Sequence, residues 1–312
     1  MYLVCGEALF DFFSENDAQG PAAQVNFKAI AGGSPFNVAV GLRRLGVESA
    51  LFAGLSTDFL GRRLRQVLLD EGVNDRYLLD IDAPTTLAMV AVGANGSPHY
   101  SFRGEGCADR QLSLEHLPIL GPEVRGLHVG SFCLVVQPIA DTLLALVKRE
   151  SGRRLISLDP NVRLNPQPDI ALWRSRIATL VEYADLIKVS DEDLSLLYPE
   201  LDPKAVIEGW LQHRCQLVFL TRGGQGATVF SRQYGSWSLP ARPVEIADTV
   251  GAGDTFQAAL ITWLTEQELD SVEGLHTLTR EQINAMLDFA MGAAALTCGK
   301  TGPDLPYRRQ LG

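Results

Sequence analysis

Short apolar runs rich in β-branched and aromatic residues alternate along this chain with longer stretches of helical period. The run LVCGEALFDFF gives way to the helical pattern NVAVGLRRLG, then to ESALFAGL and a polar-apolar stretch over 58–72. Farther on, LHVGSF, RRLISLDP, ADLIKVS and QLVFLTRG read as buried strands, with helical patterns at 138–150, 170–182 and 203–213 between them. Such a βαβα rhythm predicts an α/β fold with a central, mostly parallel sheet and helices on both faces. Two regions break the rhythm, at about 14–30 and 84–104. The second, TTLAMVAVGANGSPHYSF, reads as a hairpin turning at Asn95-Gly96. Both predict a small separate sheet, placed as a lid over the crevice beyond the carboxyl ends of the main strands. The expected organisation is a single domain, 1–312, with these lid segments inserted in it.

Composition narrows the class. The 312 residues are 46% hydrophobic, enough for one large core, and the 29 glycines and 16 prolines are dispersed as turns rather than gathered into a linker. A formal net charge of −10, with no run of Lys or Arg, argues against a nucleic-acid partner. No apolar run reaches the roughly 18 to 20 residues of a membrane span, and Glu7 and Asp11 interrupt the apolar start, so neither a membrane segment nor a signal peptide is expected. Cys5, Cys107, Cys133, Cys215 and Cys298 are odd in number and widely spaced. They read as reduced thiols of a cytoplasmic protein, mostly packing residues.

The candidate chemistry is concentrated in DTVGAGDTF, residues 248–256, a glycine-rich turn feeding a helix with Phe256, Ala259, Leu260, Trp263 and Leu264 on one face. Small residues at Gly251, Ala252 and Gly253 let backbone N–H groups approach an anion at the positive end of a helix dipole. Asp254, on the first turn, is placed to act as a general base. Taken alone, the same residues also describe a tight turn with a capping carboxylate. A second glycine-rich helix entry, AGGSPFN at 31–37, lies far away in sequence.

Together these segments resemble the two signature motifs of the ribokinase-like carbohydrate kinases, the PfkB family: an early AGGxxxN and a late DTxGAGD. GEALFDF at the start, GLSTDFLGRRL at 54–64, DPNVR at 159–163, KVSDEDL at 188–194 and TRGGQGA at 221–227 follow in family order. The resemblance implies the ribokinase-like fold and ATP-dependent phosphorylation of a sugar hydroxyl, with Asp254 as base and Gly251, Ala252 and Gly253 as the anion hole. It also implies sugar contacts from Asp11, Gly32, Gly33 and Asn37, residues that in isolation would read as turn and capping groups. Arg163 and Arg103 join them as guanidinium donors to substrate oxygens. For ATP it implies Thr221, Gly223 and Gly226, with Lys188 and Ser190 nearby.

The family pattern Asn-x-x-Glu, which organises a metal through water, reads Ser190-Asp191-Glu192-Asp193 here, so Asp193 is the candidate for Mg²⁺, one methylene shorter than the family residue. Many relatives also hold K⁺ through backbone carbonyls, which places that ion near Asp248, Val250 and the stretch after Cys298. Apolar positions at Leu87, Met89 and Val92 would otherwise leave one face of the small lid sheet exposed, so the lid is expected to pack against a second copy, giving a homodimer. GEALFDF, DPNVR, Trp173 and KVSDEDL look most like the fructokinase branch, whose product is fructose 6-phosphate. A 2-keto-3-deoxygluconate kinase is the alternative, its substrate carboxylate suiting Arg103 and Arg163. A non-catalytic sugar-binding regulator of the same fold is a different class. No GxGxxG follows the first strand, which sets a nicotinamide dehydrogenase aside.

Overall fold

The computed structural model describes residues 1–14, 23–92, 98–300 and 302–311. Its strands are β1 (Tyr2–Cys5), β2 (Leu9–Ser14), β3 (Phe27–Gly32), β4 (Ser49–Ser56), β5 (Leu78–Ile81), β6 (Leu87–Val92), β7 (Pro98–Arg103), β8 (Gly126–Gly130), β9 (Leu155–Asp159), β10 (Leu186–Ser190), β11 (Leu217–Thr221), β12 (Ala227–Ser231) and β13 (Gly235–Leu239). Its helices are α1 (Ser34–Arg44), α2 (Phe59–Asp70), α3 (Ile139–Glu150), α4 (Ile170–Val181), α5 (Asp191–Leu197), α6 (Pro203–Trp210), α7 (Ala252–Glu266), α8 (Val272–Thr277) and α9 (Arg280–Cys298).

One sheet runs β13-β12-β11-β10-β9-β8-β1-β4-β5. It is parallel from β5 to β11, and only β12 and β13 return antiparallel. The period of two along its strands divides the core between the two faces. In β1, Tyr2 and Val4 join the cluster that α1, α2, α7 and α9 cover, while Leu3 and Cys5 join the cluster under α3, α4, α5 and α6. Helix α7 is buried almost all round from Asp254 to Leu264 because it is packed between α1 and α9.

The second sheet, β3-β2-β6-β7, is the predicted lid. Strand β6 pairs antiparallel with β7 from Leu87↔Arg103 to Val92↔Pro98, as a hairpin requires, while its expected turn at Asn95-Gly96 lies outside the described residues. One reading needs correction: LVCGEALFDFF is two strands in two sheets. The break falls at Gly6, whose φ of 146° suits glycine, and a Cβ there would sit 2.4 Å from Pro35 Cγ. Consequently Asp11 does not end a main-sheet strand. It lies inside lid strand β2, paired with Ile30 on one side and Ala88 on the other.

Helix starts fall into two groups. Asp58, Asp169, Ser190 and Asp202 cap α2, α4, α5 and α6 with their side chains. Helices α1 and α7 follow Gly33 (φ 104°) and Gly251 (φ 79°), and neither has a side-chain cap. Both motif helices therefore begin with backbone donors that no side chain has taken.

Candidate active site

Helices α1 and α7 bring together residues more than two hundred positions apart. Asp254 on α7 is 6% exposed, and its two carboxylate oxygens accept separate bonds from α1: Ser34 Oγ donates to Oδ1 at 2.6 Å and Asn37 Nδ2 to Oδ2 at 2.8 Å. Burial pushes the Asp254 carboxyl above its ordinary pKa. The two α1 donors and the Lys188 ammonium oppose that shift, while nearby Asp159 reinforces it. A raised but hydrogen-bonded carboxyl suits a base that works near neutral pH.

Around it lie the backbone amides expected to form the anion hole. Ala252 N–H turns back to Thr249 O at 3.2 Å, so its donor is engaged within the turn. Among the described residues no bond is made by the N–H groups of Gly251, Gly253 or Asp254, which leaves them for an anion. Gly253 is tight on one side, since a Cβ there would stand 2.9 Å from Lys188 Nζ.

The expected sugar contacts gather at the same place. Asp11 is raised to about 6 by burial and by the neighbouring Asp254 charge, with Arg163 pulling it back, so these three groups share one field. Gly32 is held open by Asp11, whose Oδ2 would lie 2.6 Å from a Cβ, and Gly33 sits over Glu7, 3.0 Å from its carbonyl by the same measure. Arg163 is exposed, with one N–H donated to Val162 O at 2.9 Å. Arg103 closes β7 at the lid edge and is exposed too. Asn37 is turned to Asp254 through its amide N–H, leaving its carbonyl as the group for a hydroxyl.

The nucleotide candidates lie at the carboxyl ends of adjacent strands, Ser190 opposite Thr221. Thr221 Oγ1 makes one long bond, 3.5 Å, to Val189 O. Gly223 (φ 49°) faces open space, as a ligand contact would. Gly226 (φ 90°) faces Leu239 O, 2.2 Å from a Cβ, so the turn from β11 into β12, packed against the end of β13, already requires a glycine there. Lys188 is 3% exposed and pairs with Asp159 Oδ2 at 2.8 Å, beneath the turn rather than on its surface.

Asp193 is fully engaged: Oδ1 accepts from Val162 N at 2.7 Å, and Oδ2 from Ser190 Oγ at 2.7 Å and Ser190 N at 3.2 Å. It closes a capping box on α5 and ties down the DPNVR loop. The Asp248 carboxylate is likewise engaged, by the N–H groups of Thr249, Val250 and Gly302. The carbonyls of Asp248 and Val250 accept no bond from the described residues.

Sequence reasoning gave no role to Ser34, Asp159 or Glu7. Asp159 and Lys188 carried a legible signal, two charges within otherwise apolar buried strands, which requires a partner. Ser34 had none beyond its place in a helix entry.

The whole-chain comparison agrees with this geometry: the model for pfkB family carbohydrate kinases matches residues 1–309. The chain belongs to the PfkB family of carbohydrate kinases. Among similar proteins, the fructokinase of Rhizobium leguminosarum bv. trifolii is 34% identical over 320 residues, covering 99% of this chain and 92% of that protein. Fructokinase-1 of Oryza sativa subsp. japonica is 31% identical over 309 residues, with 96% and 93% covered. Among solved structures, the ATP-bound fructokinase of Xylella fastidiosa superposes with a TM-score of 0.88 at 26% identity, covering 99% of this chain and 96% of that one. A double mutant of Vibrio cholerae O395 fructokinase, with fructose, ADP and potassium bound, gives 0.84 at 25% identity and the same coverage. The ribokinase-like fold and the carbohydrate-kinase class expected from the motifs thus hold for this chain.

Proposed function

We propose that this PfkB kinase phosphorylates fructose at the expense of ATP, giving fructose 6-phosphate, with Asp254 as the general base. The observation that carries the reading is Asp254 itself, a buried carboxylate fixed by Ser34 and Asn37 beside free backbone donors at the start of α7. The sugar hydroxyl oxygen attacks the γ-phosphorus in line, and the bond from that phosphorus to the bridging oxygen breaks, its electrons leaving with ADP. The hydroxyl proton passes to Asp254. Charge developing on the transferred group meets the N–H groups of Gly253 and Asp254, and such donors are worth about 3 kcal/mol each in other enzymes. Asp11, Gly32, Gly33, Asn37 and Arg163 orient the sugar, with Arg103 reaching from the lid. Thr221 and Gly223 face the nucleotide.

Mg²⁺ supplies charge neutralisation on the β- and γ-phosphates when it arrives with ATP. The residues fit a metal carried by the nucleotide better than one held by protein: both Asp193 oxygens already accept hydrogen bonds from Val162 and Ser190, and no cluster of three acidic, His or Cys ligands occurs among the described residues. The open carbonyls of Asp248 and Val250 fit a K⁺ ion. Homodimerisation through the lid is supported by Val25 and Phe27, 62% and 38% exposed at its margin. No described helix is long and apolar enough to cross a membrane, and the five free thiols suit the reducing cytoplasm. The deciding experiment is an ATP-coupled assay across fructose, ribose, 2-keto-3-deoxygluconate and adenosine. Fructose should give the highest kcat/KM; a preference for any other member removes the assignment, and no turnover at all would favour a binding protein.

A further inference from the structure

Lys188 is an unusual occupant of a buried strand. It is 3% exposed, flanked by Ile187 and Val189, and its ammonium makes one hydrogen bond among the described residues, to Asp159 Oδ2 at 2.8 Å. An ammonium has three donors. The remaining two are not directed at solvent, and the surface next to Nζ is Gly253, the second glycine of the GAGD turn. A side chain at 253 would place its Cβ 2.9 Å from that nitrogen, closer than packed atoms approach. A side chain at this position would therefore force the lysine head to shift.

We propose that Lys188 is a positioning residue whose ammonium, clamped by Asp159 and pressed against Gly253, forms a fixed positive charge beneath the first turn of α7 that keeps Asp254 ionised to receive the sugar proton. The inference rests on the assignment of Asp254 as base, and it gives Lys188 a role other than contact with the nucleotide surface.

The charges on every element facing this cluster are consistent with it. Lys188 on β10 is met by Asp159 from β9, Asp193 from α5 and Asp254 from α7, with His128 from β8 nearby. Burial works against the lysine charge, but the three carboxylates outweigh it and hold the ammonium above its ordinary pKa. His128 is buried, and burial followed by the lysine charge holds its pKa at about 3, so it contributes no competing charge near neutrality. Asp254 in turn sees Lys188 and Asp159, the α1 donors Ser34 and Asn37, and the Asp11 charge across the sugar site. Within that set Lys188 supplies the positive charge on Asp254, while Arg163 lies on the far side of Asp11 in the same field.

The test is the pH profile of kcat at saturating fructose and ATP for three variants. Lys188→Met removes the charge while keeping the length of the stem, so Asp254 should hold its proton to higher pH. Its acid limb should move up by about one pH unit, a roughly tenfold loss on the acid side that closes on the alkaline side. Asp159→Asn removes a negative neighbour and should move the limb the opposite way. Lys188→Met/Asp159→Asn removes the pair together, leaves neither partner buried without the other and should fold with the limb between the two singles. If Lys188→Met does not fold, the double variant still decides the matter, because its limb should lie above that of Asp159→Asn, the difference being the lysine charge. Limbs that coincide in all folded variants overturn the inference, as does a rise in KM for ATP with the limb unmoved, which would make Lys188 a nucleotide contact. Asp254→Asn measured in parallel separates the two readings. Wild-type turnover in that variant defeats the base assignment, whereas lost turnover there with an unmoved limb in Lys188→Met defeats only the role given to the lysine.

Discussion

Asn37 Nδ2 donates to Asp254 Oδ2 at 2.8 Å across 217 residues of chain, and with Ser34 it leaves the Asp254 carboxylate no freedom to turn. The pairing joins the two glycine-rich motifs into one machine. It exists because α1 and α7 lie against each other on the same face of the sheet, each entered through a glycine with positive φ.

Residues acting as one unit should show strongly non-additive losses. Asn37→Ala is expected to lower kcat by roughly ten- to a hundredfold, from the loss of a charge-assisted bond of about 1.5–3 kcal/mol. In an Asp254→Asn background the same change should cost kcat little more, while KM for the sugar still rises. A double-mutant cycle on kcat provides the check, and full additivity would mean that Asn37 serves the sugar alone.

Asp254→Asn keeps the shape of the side chain and removes the proton acceptor. Turnover should fall by at least about a hundredfold. Melting temperature should change little, because α7 is held by burial from Asp254 to Leu264 and its N-terminus takes no cap from this side chain. Near-normal turnover would refute the base, and a collapse in stability would point to a structural carboxylate.

Substrate choice turns on Arg103, exposed at the lid edge. A solvated guanidinium meeting a neutral hydroxyl contributes little net free energy, whereas one meeting a carboxylate contributes more. With fructose, Arg103→Ala should reduce kcat/KM only a few-fold. A wild-type preference for 2-keto-3-deoxygluconate that the substitution abolishes, at about 2–3 kcal/mol, would reverse the choice of sugar.

Much of this arrangement was legible in the chain. Period-two and buried apolar runs predicted β8 to β11 within a residue or two, because parallel strands covered on both faces have little other composition available. The motif glycines and Asp254 were legible because a turn into a helix leaves a local signature. The split at Gly6 was not, since LVCGEALFDFF is mostly apolar on both sides of it and the close approach of Pro35 is what distinguishes a break from a continuous strand. Nor was the Ser34–Asp254 bond or the Lys188–Asp159 pair, for these depend on which helices and strands become neighbours. The engagement of Asp193 by Val162 is of the same kind, a tertiary use of a carboxylate that the family resemblance assigns to a metal.

The last prediction concerns Glu7, 1% exposed beneath Gly33, with Oε2 lacking a partner among the described residues. Burial raises its pKa from 4.5 to about 7, against bonds from Ser131 and Cys133 that favour the charged form. The unfolded chain releases this proton near 4.5 and the folded chain near 7, so between those values the native state binds the extra proton. Stability from this group is therefore full below about pH 4.5 and is lost as pH rises through 7. Glu7→Gln removes the titration. The amide brings its own cost, a buried N–H₂ in place of the unpartnered oxygen, but that cost does not vary with pH, and titrations common to both proteins cancel in the difference. The stability of Glu7→Gln relative to wild type should accordingly rise between pH 5 and pH 8, by on the order of 1–3 kcal/mol. Denaturant unfolding of both proteins at several pH values measures this directly. A difference that stays flat across the range would mean that Glu7 titrates as it does in water, or not at all, and that the floor beneath Gly33 carries no latent charge.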